Sequence, residues 1–192
     1  MSADRPDGRP RVPPNQVVTS KFPVMTAGTP SVAGIADWTL TLDGDVANPV
    51  TLDWQAFRAL PVERFEVDIH CVTRWSRLGT VWTGVSIDTL VRLAGPAAEA
   101  SYVQARADGG YSANLRLADL VGGKAFVAIG HDGAPLTSEH GGPARLVVPD
   151  LYFWKSAKWL RGLHFSAYDY KGYWEKLGYH NYGDPWREQR YR

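Results

Sequence analysis

Phe65-Glu66-Val67-Asp68-Ile69-His70-Cys71-Val72 alternates apolar and polar residues along its length. Successive side chains of a strand point to opposite faces. The stretch therefore predicts a β-strand with Phe65, Val67, Ile69 and Cys71 on one face and Glu66, Asp68 and His70 on the other. Cys71 closes the apolar face, and a strand end is where side chains meet a cavity.

Working outward, Trp38 to Leu42 reads as a strand turned by Asp43-Gly44, with a second turn at Asn48-Pro49. Thr51 is expected to cap a short helix through Ala59, stopped by Pro61. Downstream, Ser86 should cap a helix through Leu93, with Asp88 in its first turn and Gly95-Pro96 as the stop. Tyr102 to Ala107 reads as a strand, and Arg116 to Val121 as a helical turn ended by Gly122-Gly123. Strands are expected at Ala125 to Gly130, turned by Asp132-Gly133, at Arg145 to Val148, and from Trp159 to Ser166. The Tyr-, Trp-, Gly- and Pro-rich remainder reads as an ordered loop. Many short strands, few short helices and no regular strand–helix alternation predict a β-rich α+β domain, not a doubly wound sheet.

The chain has 192 residues, which suits one domain. Residues 1–14 are polar and Pro-rich and read as a flexible arm, leaving 15–192 as the domain. With 21 basic and 20 acidic residues, the charge balance argues against a dedicated nucleic-acid binder. No apolar run approaches the roughly 18 residues of a membrane span. The N-terminal stretch has no hydrophobic signal core, Pro10 separates Arg9 from Arg11, and Cys71 is an isolated cysteine. These features lead to the expectation of a cytoplasmic protein.

Two constellations carry chemistry. The first is His70-Cys71-Val72-Thr73-Arg74-Trp75-Ser76. A thiol becomes a ligand or nucleophile as the thiolate, which a nearby cation such as Arg74 favours. A buried cysteine acting as a small hydrophobe is the plain alternative, and Arg74 could equally pair with Glu66 or Asp68. The second is His140-Gly141-Gly142-Pro143-Ala144-Arg145 followed by Lys155-Ser156-Ala157-Lys158-Trp159. Gly141 and Gly142 would let backbone amides approach a ligand. Arg145 offers a fork of donors suited to phosphate or carboxylate. Lys155 and Lys158 would meet on one helical turn beside Ser156. Together they suggest an anion cradle; a solvated basic strip is the alternative. Asp108 and Tyr111 sit in a glycine turn that could line the pocket or be an ordinary turn. A zinc site using His70, Cys71, His131 and His140 lacks ligand spacing. A cofactor-free Cys71–His140 hydrolase or transferase leaves the lysines unexplained, and a non-catalytic module binding a phosphorylated ligand also stands.

His70-Cys71-Val72-Thr73-Arg74-Trp75-Ser76 with Trp82-Thr83-Gly84-Val85-Ser86 resembles the metal-binding segment of the sulfite oxidase-like molybdopterin-dependent oxidoreductases. Gly133-Ala134-Pro135-Leu136, the run His140 to Pro149, and Lys155-Ser156-Ala157-Lys158-Trp159-Leu160 resemble that family's second signature. Thr19-Ser20-Lys21-Phe22-Pro23-Val24 resembles the opening segment of its small bacterial members. The resemblance implies a β-rich mixed-sheet domain of the oxidoreductase molybdopterin-binding type. It implies a single pyranopterin holding molybdenum, without an attached nucleotide, with Cys71 as the protein's sulfur ligand. It implies that His140 and Arg145 contact the pterin or its phosphate, and that Lys155, Ser156 and Lys158 hold the phosphate end. It brings in Thr19, Lys21, Phe22, His70 and Val72, with Asp108 and Tyr111, as cofactor contacts, and Arg74 as a catalytic candidate. The expected reaction is a two-electron oxidation or reduction with oxygen-atom transfer on a small, protein-borne or sulfoxide-type substrate. No haem-binding domain accompanies the motifs, so electrons are expected to pass to or from a separate partner.

Overall fold

The computed structural model describes residues 4, 5, 7–27 and 34–192. Among these residues the strands and α-helices follow in order: β1 (Val17–Val18), β2 (Thr39–Gly44), β3 (Val50–Asp53), α1 (Trp54–Arg58), β4 (Glu63–His70), β5 (Trp75–Ser86), α2 (Ile87–Ala94), β6 (Tyr102–Ala107), β7 (Ser112–Arg116), β8 (Phe126–His131), β9 (Ala134–Pro135), β10 (Arg145–Val147), β11 (Leu160–Ser166) and α3 (Tyr173–Lys176). Two sheets form. In one, the order is β1-β5-β8-β10, with β4 also paired to β5 and β9 to β8; the other runs β3-β2-β11-β6-β7. The β1–β5 and β2–β11 pairings are parallel and the rest antiparallel, so both sheets are mixed, as expected.

The strand around Cys71 forms as read, with two refinements. A bulge shifts the register between Val67 and Ile69, and β4 ends at His70, so Cys71 opens the turn into β5. The turn closes by Cys71 N–H donating to the Trp75 carbonyl (2.8 Å) and Arg74 N–H to the Cys71 carbonyl (3.0 Å). β5, at twelve residues, was not legible because two glycines interrupt its pattern. Gly79 takes φ +61°, and a Cβ on Gly84 would meet the Val127 carbonyl at 2.2 Å. Here glycine marks a bend and a close backbone approach within one strand.

The residues of β8 are buried almost throughout because both of its faces are covered. Val127 and Ile129 join the large core between the sheets, with Leu40, Leu42, Leu146, Val148, Leu163 and Phe165. Phe126 and Ala128 face a second cluster with Ile69, Trp82 and Val147, against which Phe22, Phe65, Trp75 and Phe153 pack. The second cluster underlies the cavity described below.

α2 matches its reading. Ser86 accepts from the Asp88 N–H, and Gly95 ends the helix in the left-handed region. α1 differs: Asp53, not Thr51, is the cap and accepts from the Ala56 N–H at 2.8 Å. Thr51 lies in β3, where its hydroxyl meets that of Thr41 across the pair at 3.0 Å. β7 escaped the reading because Ser112 and Asn114 give it a polar pattern. Residues 153–155 form a short 3-10 turn and not a full helical turn, which separates Lys155 from Lys158.

Candidate functional site

A cavity of about 250 Å³ opens on the second-cluster side of the first sheet. Its walls come from the extended segment after β1 (Phe22, Pro23, Met25, Thr26, Ala27), the β4–β5 turn (Cys71, Val72, Thr73), Trp75, Tyr111, Arg145, five residues of the segment before β11 (Phe153, Trp154, Ser156, Lys158, Trp159), and Trp174 and Tyr179. Eight of its eighteen wall residues are aromatic and few polar groups stand among them, the composition of a small-molecule site.

The Cys71 thiol sits in this wall and accepts a hydrogen bond from the Thr73 hydroxyl at 3.1 Å. Beside it, the Trp75 indole N–H is buried with no acceptor among the described residues. Arg145, at the start of β10, is 1% exposed. Its guanidinium donates to the carbonyls of His140 (2.9 Å) and Ser156 (2.8 Å) and lies 4.3 Å from the Phe153 ring centre. Among the described residues no carboxylate pairs with it. Burial pulls its pKa down to about 9, and a guanidinium so placed still carries its charge at neutral pH. Lys158 reaches across the mouth, donating to the Glu139 carbonyl (2.5 Å) and the Thr26 hydroxyl (3.2 Å). Burial, reinforced by Arg145, lowers its pKa to about 8. A buried cation without a counter-ion, a second cation at the mouth and an orphan N–H make a site whose unmet demand is for an anion.

Of the residues singled out from sequence, Phe22, Cys71, Val72, Tyr111, Arg145, Ser156 and Lys158 line the cavity. Tyr111 donates to the Trp154 carbonyl at 2.5 Å, and burial raises its phenol well above the ordinary value. Ser156 spends its hydroxyl oxygen on the Val148 N–H at 2.9 Å. His140 is one layer back, its ring stacked on Phe22 at 4.1 Å. Phe22 thereby pins the extended segment against the sheet.

The others lie outside the cavity wall. Lys155 is fully buried. It pairs with Glu175 at 2.7 Å and donates to Asn114 Oδ1 (2.8 Å) and the Asn114 (2.9 Å) and Asn181 (2.7 Å) carbonyls. The two lysines therefore do not converge, because the turn between them is too short to be helical. Gly141 and Gly142 do not offer their amides outward: these donate to Ser138 and Thr137 carbonyls, both at 2.9 Å. Their smallness serves packing, since a Cβ on Gly141 would meet Lys158 at 2.9 Å and one on Gly142 the Leu136 carbonyl at 2.3 Å.

Arg74 is exposed on its turn, at φ +71°. Neither anticipated carboxylate pairs with it, because Asp68 is taken by Arg11 and Glu66 by Arg64. Asp108 accepts from Arg161 at 2.8 Å. Thr19 Oγ1 accepts from the Lys21 N–H, and the Lys21 side chain is exposed. His70 is buried behind the cysteine; its Nδ1 meets Ser76 Oγ at 2.8 Å, and burial takes it down to about 4, so it is neutral. Among the described residues no group of three His, Cys, Asp or Glu side chains forms a metal site, so the zinc reading finds no ligand set.

Met25, Thr26, Thr73, Trp75, Phe153, Trp154, Trp174 and Tyr179 also line the cavity and were not expected there from sequence. The one available signal was the density of aromatics near Cys71 and in the last third of the chain.

Residues 26–174 match the oxidoreductase molybdopterin binding domain. The uncharacterized oxidoreductase YuiH of Bacillus subtilis (strain 168) is 47% identical over 182 residues, 94% of this chain and 92% of its own length. The protein-methionine-sulfoxide reductase catalytic subunit MsrP of Campylobacter jejuni (serotype O:2) is 26% identical over 77% of this chain, which spans 55% of that protein. The sulfane dehydrogenase SoxCD of Paracoccus pantotrophus superposes with a TM-score of 0.66 at 19% identity, over 73% of this chain and 41% of that one, and shows the shared fold. With a domain match over most of its length and a near full-length relative, the chain belongs to the oxidoreductase molybdopterin-binding, sulfite oxidase-like family of enzymes.

Proposed function

We propose that Cys71 is the thiolate ligand of molybdenum carried by a single pyranopterin in the cavity, and that the protein reduces a sulfoxide-type substrate with electrons from a separate redox partner. The observation that carries this reading is the cysteine thiol sharing one aromatic cavity with Arg145, a buried guanidinium with no carboxylate partner among the described residues. A soft thiolate suits molybdenum–sulfur chemistry, and a phosphorylated pterin supplies the anion that Arg145 and Lys158 lack. When bound, the cofactor supplies two-electron redox chemistry with oxygen-atom exchange.

The chain's own residues do the rest. Thr73 donates to Cys71 Sγ and orients it. Arg145 and Lys158 hold negative charge, and the aromatic walls exclude water and strengthen those contacts. The Trp75 N–H is left for an acceptor on the ligand. The MsrP name supports a sulfoxide substrate, and its designation as a catalytic subunit supports a separate electron donor. A cytoplasmic site of action is part of the same proposal.

The test is elemental analysis of wild type beside Cys71→Ser from a cofactor-producing host, followed by turnover of a methionine-sulfoxide peptide with a reduced viologen as donor. We expect near-stoichiometric molybdenum in wild type, loss or change of it in the variant, and sulfoxide reduction by wild type alone. Folded wild type without molybdenum overturns the reading, and loaded protein inert to sulfoxides overturns the substrate.

A further inference from the structure

We infer that Arg190 and Gln16, from opposite ends of the chain, are positioning residues that clamp the Cys71 turn from behind and so fix where its sulfur points. The inference rests on Cys71 being the working residue of the cavity.

The turn from Cys71 to Arg74 does not hold itself well. Apart from its two closing bonds and the Thr73 hydroxyl on Cys71 Sγ, it relies on Arg74 in the left-handed region at φ +71°, which disfavours any residue with a Cβ. Three of its carbonyls are held from outside. Gln16 Nε2 donates to the Cys71 carbonyl at 3.2 Å, Arg190 Nη1 donates to the Val72 carbonyl, and the Val17 N–H donates to the Arg74 carbonyl at 2.9 Å. Gln16 is steadied in turn, its Oε1 accepting from Ser76 Oγ at 3.4 Å.

Arg190 is the telling member. It is 8% exposed, lies over the Tyr152 ring at 4.9 Å, and has Nε and Nη2 buried without hydrogen-bond partners. Its Nη2 forms a loose ion pair with the exposed Glu188, at 3.7 Å. Burying a guanidinium for one carbonyl, one ring face and one loose ion pair, with two nitrogens left without hydrogen bonds, is a poor arrangement for folding stability alone. Departures from local rules of this kind gather where a site must be held in place.

The two ends also brace each other. Trp186 Nε1 donates to the Pro10 carbonyl at 2.7 Å, the Arg9 guanidinium lies over the Trp186 ring at 4.1 Å, and Asn15 Nδ2 donates to Glu188 at 2.9 Å. Trp186 in turn meets the edge of His70 with ring centres 5.0 Å apart. The turn therefore has the cavity in front and a two-ended brace behind.

The experiment measures the rate at which iodoacetamide labels Cys71 in cofactor-free Arg190→Met, Arg190→Lys and Gln16→Leu, beside melting temperature. Because it needs no metal, it remains informative if the molybdenum reading fails. We expect Arg190→Met to label about tenfold faster, the loss of one charge-assisted hydrogen bond converted to a ratio. Arg190→Lys should restore most of the protection, and Gln16→Leu should show a smaller increase. In metal-loaded protein the same variants should broaden the Mo(V) electron paramagnetic resonance signal. Labelling unchanged in Gln16→Leu and in whichever Arg190 variants fold, even with lowered melting temperature, reduces both residues to structural parts and overturns the inference.

Discussion

Replacing Glu175 by Gln isolates the electrostatics of the buried Lys155 pair. The side chains of Lys155 and Glu175 are 0% and 1% exposed, with 2.7 Å between charged atoms. An ammonium has three protons to place, and three neutral oxygens remain after the substitution, two from Asn114 and one from Asn181. Hydrogen bonding survives, so the loss falls on charge compensation. Breaking a buried pair on one side costs about 3–5 kcal/mol.

An independent ceiling follows from the lysine's own escape. Surrendering its proton at pH 7 against an ordinary value of 10.5 costs about 1.36 kcal/mol per pH unit, or about 5 kcal/mol. The melting temperature should drop by about 6–20 °C, at about 2–4 °C per kcal/mol for a chain of this size. The sign with pH is fixed. A lysine whose folded pKa lies below its unfolded one binds more protons unfolded, so Glu175→Gln should regain stability relative to wild type as pH rises toward 10. Lys155→Met in the same background should recover part of the loss. Urea melts of cofactor-free protein from pH 7 to 10 read all three. A cost below about 1 kcal/mol, or one that does not shrink with rising pH, refutes the reasoning.

Arg145→Met should leave the protein folded yet unable to retain an anionic ligand; cofactor content and pyrophosphate calorimetry on cofactor-free protein check this, and undiminished binding counts against the anion site. Lys158, held at about 8 by burial and by Arg145, should bind pyrophosphate less well as pH rises through 8. Its buried charge penalises folding below pH 8, a penalty relieved between pH 8 and its unfolded value, and Lys158→Met should flatten both trends. Asp88 is desolvated, but the Gly122 and Gly123 amides and the Ser86 hydroxyl outweigh that and lower its pKa. Its contribution is therefore present at neutral pH and lost as pH falls through its folded value. Asp88→Ala should cost about 1–3 kcal/mol by urea melt, less at pH 3 than at pH 7.

The fold was most readable where one local rule decides. Ser86, Asp88 and Gly95 bound α2 by capping chemistry, and Tyr102 to Ala107 alternates without interruption. β5 was hidden because Gly79 and Gly84 look like breaks until the partner strand that needs them is known. Thr51 and Asp53 are both good caps, and only the pairing of β3 with β2 selects between them. In the site, Cys71 and Arg145 stood out as chemistry on short motifs. Lys155 did not separate from Lys158 because its partner, Glu175, is twenty residues away in sequence and joined to it by the tertiary fold alone. The wall aromatics were legible as a composition without positions.

β8 has one further consequence. Phe126 and Ala128 support the cavity cluster, while Val127 and Ile129 belong to the core between the sheets. Odd and even positions of one strand thus carry separate duties. A change of volume at an even position is felt under the cavity, and one at an odd position in the seam that holds the two sheets together.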